Sequence, residues 1–387
     1  MNSNALKNKT FIFALVAVLV ASVFCVSFTP SVADAASWGG VDASGLWYYQ
    51  PDFLDVASAK QAVSGWDKSK VTKPVVIGVI DTGIDASHEL FSGVLVKNAN
   101  GDILGYNAYS GADAQGNVNI SDTAQKHGSG VAGNIAMLIK EFGLEDYIKI
   151  YPIKANTADK DTFDFSVLAK ALDWAVDKAG ANVVNMSLGR SKKDYDTLSK
   201  TVQSAFEVAI AKANTKSVVV AAAGNEAKPD TNPKDIFYPA GLDGVVSVMN
   251  QGKDGNLYSK SNYGLSYSLC APGESVYTAN GYAANTSLYH ETGGTSIAAS
   301  MVSFATALLQ LRMQIEGRAF DAPTLAKTVK AFNVKTVKKG DMTLRALDLN
   351  TIAAGNLDDI NYNYQTPTAL SLVHDGTLGS GDNAGSV

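Results

Sequence analysis

Apolar residues follow two rhythms along this chain. The first is the short, nearly unbroken run: Val75-Val76-Ile77-Gly78-Val79-Ile80, Tyr147 to Ile153, Ala181 to Met186 and Ser217 to Ala222. Such runs, bounded by polar or turn residues, predict strands buried on both faces. The second is the helical repeat. Leu168, Ala171, Leu172 and Ala175 fall on one face of a helix expected over Phe165 to Ala179. Further helices are predicted over Gly130 to Phe142 and Tyr195 to Ala213, with a short amphipathic one around Asp55 to Val63. Thr295 to Met313 is predicted to be a long helix, apolar all round in its first half and therefore buried. Val245 to Val248 and Tyr267 to Cys270 give later, shorter strands. Strands alternating with helices predict βαβ units, hence an α/β fold with a mostly parallel central sheet and helices on both faces.

The first apolar run lies outside this scheme. Lys7 and Lys9 precede Phe11 to Val26, broken only by Ser22, and Ala33-Asp34-Ala35 fits the small-x-small pattern of a cleavage site. The run is shorter than the roughly 20 residues a spanning helix needs. Residues 1–35 are therefore expected to be a cleaved signal peptide, and the mature protein to be secreted with no membrane attachment. Residues 36–74, with Trp47-Tyr48-Tyr49, form an expected N-terminal arm, and 75–355 the main domain. Residues 356–387 turn polar, with one strand-like stretch at Ala369 to Val373, and predict a loose tail or the stub of an accessory module.

Composition narrows the class. Hydrophobic residues at 46% against 18% charged describe a folded protein, because a disordered chain is poorer in apolar residues. The net charge of −5 offers no field to replace phosphate counterions, which argues against nucleic acid as a partner. Two cysteines exclude a disulfide-stapled scaffold and a cysteine-based zinc site. Loss of the leader removes Cys25 and leaves Cys270 as the only thiol, a pattern commoner in bacterial than in animal secretions. A length of 387 residues admits one large domain or two ordinary ones, and the undivided run of elements favours one.

Ligands of an open α/β sheet bind at the carboxyl ends of its strands. Three predicted strands end in polar signals: Asp81-Thr82-Gly83, Asn185-Met186-Ser187-Leu188-Gly189 and Gly224-Asn225-Glu226. Two helices begin with His127-Gly128-Ser129-Gly130 and Gly294-Thr295-Ser296. Singly, each has an ordinary explanation. Asp81 and Asn225 suit turns, Ser296 suits a helix cap, and a histidine is often a satisfied core residue. Of His88, His127, His290 and His374, however, only His127 opens a glycine-rich helix.

In this order, Asp then His then Ser, the five motifs resemble the subtilase family, the subtilisin-like serine peptidases. Tyr238-Pro239-Ala240, Ser261-Asn262-Tyr263-Gly264 and Ala271-Pro272-Gly273 extend the resemblance, which covers Tyr48 to Gly355. It implies a subtilisin-like three-layer fold and a secreted serine endopeptidase acting on protein or peptide substrates, expected to be a monomer. Ser296 would be the nucleophile, His127 the base and then the acid, and Asp81 the residue that orients the imidazole. Asn225 would join a backbone N–H in binding the oxyanion. Ser187, Leu188 and Gly189 would pair with an extended peptide. Ala222 and Gly224 would wall the main specificity pocket, whose small residues predict an open slot for large apolar side chains. The chemistry needs no cofactor. A structural calcium is a further expectation, but the short Ile139 to Gly143 loop puts in doubt a site that many relatives build there. Glu89 and Asp102 are the candidate ligands, against the simpler reading of solvated surface carboxylates.

The sequence also departs from the family. His127-Gly128-Ser129-Gly130 stands where His-Gly-Thr-His is usual, and Ser296-Ile297-Ala298-Ala299-Ser300-Met301 lacks the proline common after the nucleophile. The missing proline predicts an active but slow or selective enzyme; the lost second histidine changes packing more than chemistry. Too few residues separate Ala35 from Asp81 for an independently folding propeptide beside the arm. Two other readings compete: a non-catalytic binding protein with the same fold, and a narrow processing protease or peptide ligase.

Overall fold

Val75–Asp81 (β1) builds its two cores by alternation, since successive side chains of a strand face opposite sides. Ile80 joins a core with Leu168 and Leu172 of one helix and Phe206 and Ile210 of another, whereas the two helices that begin with His127 and Thr295 also pack on β1. The computed structural model describes residues 37–110, 119–123, 126–156, 163–280, 288–318, 321–332 and 335–359. The expected leader, most of the expected tail and the stretch at Ala369 to Val373 lie outside them.

The remaining strands of the main sheet are Tyr106–Asn107 (β2), Ile148–Lys154 (β3), Val183–Met186 (β4), Val218–Ala222 (β5), Val246–Gln251 (β6), Leu269–Pro272 (β7), Lys335–Lys339 (β8) and Met342–Ala346 (β9). They form one nine-stranded sheet in the order β8-β9-β7-β6-β5-β4-β1-β3-β2. Every pairing is parallel except the β8–β9 hairpin. The helices are Val56–Ser64 (α1), His127–Glu141 (α2), Phe165–Asp177 (α3), Lys200–Lys216 (α4), Thr295–Ile315 (α5), Ala322–Ala331 (α6) and Leu349–Ala354 (α7), with a single turn at Lys192–Tyr195. This is the predicted α/β architecture with helices on both faces of the sheet.

α5 is the central core helix. Its apolar length would suffice to cross a membrane, yet the helix is buried within the protein. Its polar side chains are satisfied inside: Ser303 Oγ donates to Asn185 Oδ1 at 2.9 Å and Thr306 Oγ1 to the Val302 carbonyl at 2.7 Å. Buried hydroxyls are tolerated only with such partners.

Three differences from the sequence reading have local causes. The helix expected over Tyr195 to Ala213 starts at Lys200, because Ser199 Oγ accepts from the Val202 N–H and caps it there. β8 was not expected, since Lys335-Thr336-Val337-Lys338-Lys339 is an edge strand with only Val337 fully buried. α6 is short, and its signature is a cap, Asp321 Oδ1 accepting from the Thr324 N–H at 2.7 Å. The arm is tied down by hydrogen bonds: Tyr48 donates to the Tyr277 carbonyl at 3.3 Å, and Lys335 Nζ to the Phe53 carbonyl at 2.7 Å.

Candidate active site

Parallel strands deliver their carboxyl ends to one edge, and that edge gathers the polar motifs. Asp81 ends β1, Ser187 follows β4 and Asn225 follows β5. His127 begins α2 and Ser296 sits in the first turn of α5. All but Asp81 line a single cavity of about 200 Å³ together with Thr82, Gly189 and Gly224.

Asp81 is 1% exposed and its Oδ1 accepts from His127 Nδ1 at 2.7 Å. The same oxygen accepts from the Thr82 N–H at 2.7 Å. The imidazole is 36% exposed, so its other nitrogen is open to the cleft. Burial pulls the His127 pKa down, but the charge and hydrogen bond of Asp81, with the charge of Asp122, outweigh it and raise the pKa above 6.5.

A second tier of polar residues locks this pair in place. Thr82 Oγ1 donates to Asp122 Oδ1 at 2.5 Å and accepts from the Gly128 N–H at 2.8 Å. Asp122 Oδ2 accepts from the Ser129 N–H at 2.7 Å, at the positive end of α2. Burial raises the Asp122 pKa, as does the charge of Asp81, against hydrogen bonds from Ser129 and Thr82. Lys154, in register with Asp81, donates to the carbonyls of Thr82 at 2.8 Å and Ser121 at 2.6 Å. Burial depresses its pKa, and Asp122 opposes that effect. Gly128 is needed for this close approach: a Cβ there would lie 2.0 Å from the Gly83 carbonyl oxygen.

Ser296 is held by reciprocal bonds to Ser187. Ser187 Oγ donates to the Ser296 carbonyl at 2.7 Å, and Ser296 Oγ donates to the Ser187 carbonyl at 3.1 Å. The hydroxyl proton therefore points to the sheet edge at rest. A hydroxyl turns readily, and catalytic hydrogen bonds are often incomplete before substrate arrives. The Ser296 N–H belongs to the first turn of α5, where backbone donors lack helical acceptors. Asn225 stands beside it. Its Oδ1 accepts from the Thr295 N–H at 2.9 Å and Thr295 Oγ1 at 3.2 Å, which leaves Nδ2 as its outward donor. Gly294 makes room with φ of +119°; a Cβ would lie 3.3 Å from that amide. A hydroxyl and an imidazole held by a carboxylate on one cavity, with two neutral donors beside them, suit acyl transfer.

The other expected residues are partly rearranged. Ser187, Leu188 and Gly189 border the cavity, and so do Ala222 and Gly224. Phe163 and Phe237 line the same cavity, which the small residues alone did not indicate. Glu89 Oε1 accepts from the Tyr289 hydroxyl at 2.6 Å, while Asp102 binds Asn98 in an exposed turn. Among the described residues no group of three or more His, Cys, Asp or Glu forms a metal site. Ser129-Gly130 serves packing: Ser129 Oγ accepts from the Asp85 N–H at 2.8 Å, and Thr278 Oγ1 donates to the Gly130 carbonyl at 2.7 Å. Where the proline is missing, Asn134 Nδ2 donates to Ser300 Oγ at 2.8 Å and ties α5 to α2. Sequence reasoning did not single out Asp122, Lys154, Phe163 or Phe237. The alternation of β3 could have flagged Lys154 as a charge on a buried strand; Asp122, Phe163 and Phe237 carry no such signal.

Comparison with known proteins gives the family. The profile of the subtilase family matches residues 72–365. Subtilisin DY of Bacillus licheniformis is 32% identical over 239 residues, covering 61% of this chain and 76% of that protein. The major intracellular serine protease of Bacillus subtilis (strain 168) is 27% identical, over 67% of this chain and 75% of its own length. The crystal structure of a lanthipeptide protease superimposes with a TM-score of 0.61 at 22% identity, covering 82% of this chain and 98% of that one. The chain belongs to the subtilase family and is a subtilisin-like serine peptidase.

Proposed function

We propose that the protein is a secreted endopeptidase that cleaves peptide bonds through an acyl-enzyme on Ser296. The observation that carries this reading is the 2.7 Å bond between buried Asp81 and His127 Nδ1, beside a cavity that His127 shares with Ser296. With Nδ1–H donated to Asp81, Nε2 is the free base. It takes the Ser296 proton as Oγ attacks the carbonyl carbon, and the new C–O bond gives a tetrahedral oxyanion. The Ser296 N–H and Asn225 Nδ2 bind that oxygen. His127 then gives the proton to the leaving amine, and water repeats the sequence to release the acid. The leader-like pattern of residues 1–35 supports secretion, and the run of Ser187 to Gly189 along the cavity supports an extended substrate.

Asn225→Leu is expected to lower kcat by on the order of 10²–10³, with KM little changed, since the donor acts on charge that exists only in the transition state. Steady-state kinetics on one peptide substrate reads this split. The pH profile gives a second check. Activity needs neutral His127, and the raised pKa places the acid limb of kcat/KM above pH 6.5. Asp122→Asn removes a charge that favours the imidazolium, so the limb moves to lower pH. A flat profile between about pH 5 and 8 in the wild type contradicts the assignment. The stability sign is opposite: a folded pKa above the unfolded one stabilises the fold below pH 6.5, and that contribution is lost as pH rises through the folded pKa.

Hydrolysis and aminolysis of a single peptide ester test the reaction class. Release of acid in the presence of millimolar amine supports a peptidase; predominant transfer to the amine points to a ligase. Binding of the ester without either product points to a non-catalytic family member.

A further inference from the structure

We infer that Phe237 closes the floor of the slot beside Ser296 and confines the residue on the acyl side of the cleaved bond to a small side chain. This inference rests on the catalytic reading above and adds the substrate class. The slot lies between the segment Leu188-Gly189 and the segment Ala222 to Gly224. A Cβ added to Gly189 would meet Phe237 Cε1 at 2.7 Å and Cδ1 at 3.0 Å. A Cβ added to Gly224 would meet Phe237 Cδ2 at 2.9 Å. Opposite edges of one ring therefore reach both glycine walls, and the ring spans the gap.

The backbone holds the ring there. Ile236 and Tyr238, 4% and 2% exposed, belong to the core, so strand alternation turns the intervening Phe237 the other way. Phe237 pairs with Ser191 and Tyr238 with Arg190 in a short antiparallel ladder. The Phe237 N–H donates to the Tyr267 hydroxyl at 3.3 Å, and its carbonyl accepts from the Gly241 N–H at 2.8 Å. Phe163 narrows the same slot, and Arg190 Nη2 donates to its carbonyl at 3.0 Å. An aromatic ring anchored on both sides and reaching both glycine walls takes up space that a second ring, from the substrate, would need.

The test compares peptides that differ only at that position, carrying Ala, Leu or Phe, with wild type and with Phe237→Ala and Phe237→Leu. Adding methylenes to a filled pocket costs about tenfold or more in kcat/KM. Wild type should therefore prefer Ala over Phe by at least about tenfold. Phe237→Ala should raise the Phe-to-Ala ratio by at least about tenfold, and Phe237→Leu by less. The wild-type preference alone decides the matter if a variant fails to fold. A parallel measurement needs no turnover: calorimetry on the Ser296→Ala protein with acyl-side product peptides ending in Ala or Phe. Tighter binding of the Ala peptide, even where wild type cleaves nothing, supports the closed slot while refuting the catalytic reading. Equal or better cleavage and binding of the Phe peptides by wild type overturns the inference and leaves the catalytic reading standing.

Discussion

Ser296→Ala is expected to lower turnover on casein or a peptide substrate by on the order of 10⁶, a scale taken from removal of the equivalent serine in subtilisin. The loss is large because the hydroxyl oxygen is the atom that bonds to carbon, and no nearby group replaces it. Ser187 Oγ, the other hydroxyl beside it, is committed to the Ser296 carbonyl at 2.7 Å and accepts from Asn185 Nδ2 at 3.0 Å. What survives should be the contribution of the oxyanion donors and of binding, some 10³–10⁴ over water. His127→Ala in the same protein should add little further loss, since the two residues act as one unit. Steady-state rates of the single and double variants check both statements. A Ser296→Ala protein within tenfold of wild type would remove Ser296 from the chemistry.

Asp81→Asn should lower kcat by on the order of 10⁴, with the fold retained, the scale found for the corresponding change in other serine peptidases. The carboxylate holds the proton of the imidazole on Nδ1 and stabilises the cation that forms during attack. An amide whose NH₂ turns toward Nδ1 selects the opposite tautomer and places a proton on Nε2, where the base is needed. Asp81 is 1% exposed and receives the Thr82 N–H as well, so the amide cannot swing into solvent. A flatter acid limb should accompany the loss. An Asp81→Asn enzyme with near wild-type kcat would mean that Thr82, Gly128 and Asp122 position the imidazole without help.

The strands and most helices were legible because burial on both faces leaves long apolar runs, as in Val75 to Ile80. Asp81, Ser187 and Asn225 were legible for a related reason: each follows such a run directly, at the edge where an open sheet binds ligands. The network beneath them was not. Asp122 lies in a loop before α2 and acquires its partners only when Thr82 and Ser129 are brought to it. The slot shows the same limit more sharply. Ala222 and Gly224 predicted open space, and local sequence held no warning that residue 237 borders it. The ring arrives through the pairing of Phe237-Tyr238 with Arg190-Ser191, a two-residue ladder too short for any periodic signal.

The central claim is that Ser296 is a nucleophile activated by His127. Reaction of the purified wild-type protein with a fluorophosphonate, followed by peptide mass spectrometry, tests it most directly. The expected result is one phosphonyl group per chain, located on Ser296, forming more slowly below the His127 limb and not at all in Ser296→Ala. Failure of folded wild-type protein to react, or modification at another serine, would contradict it.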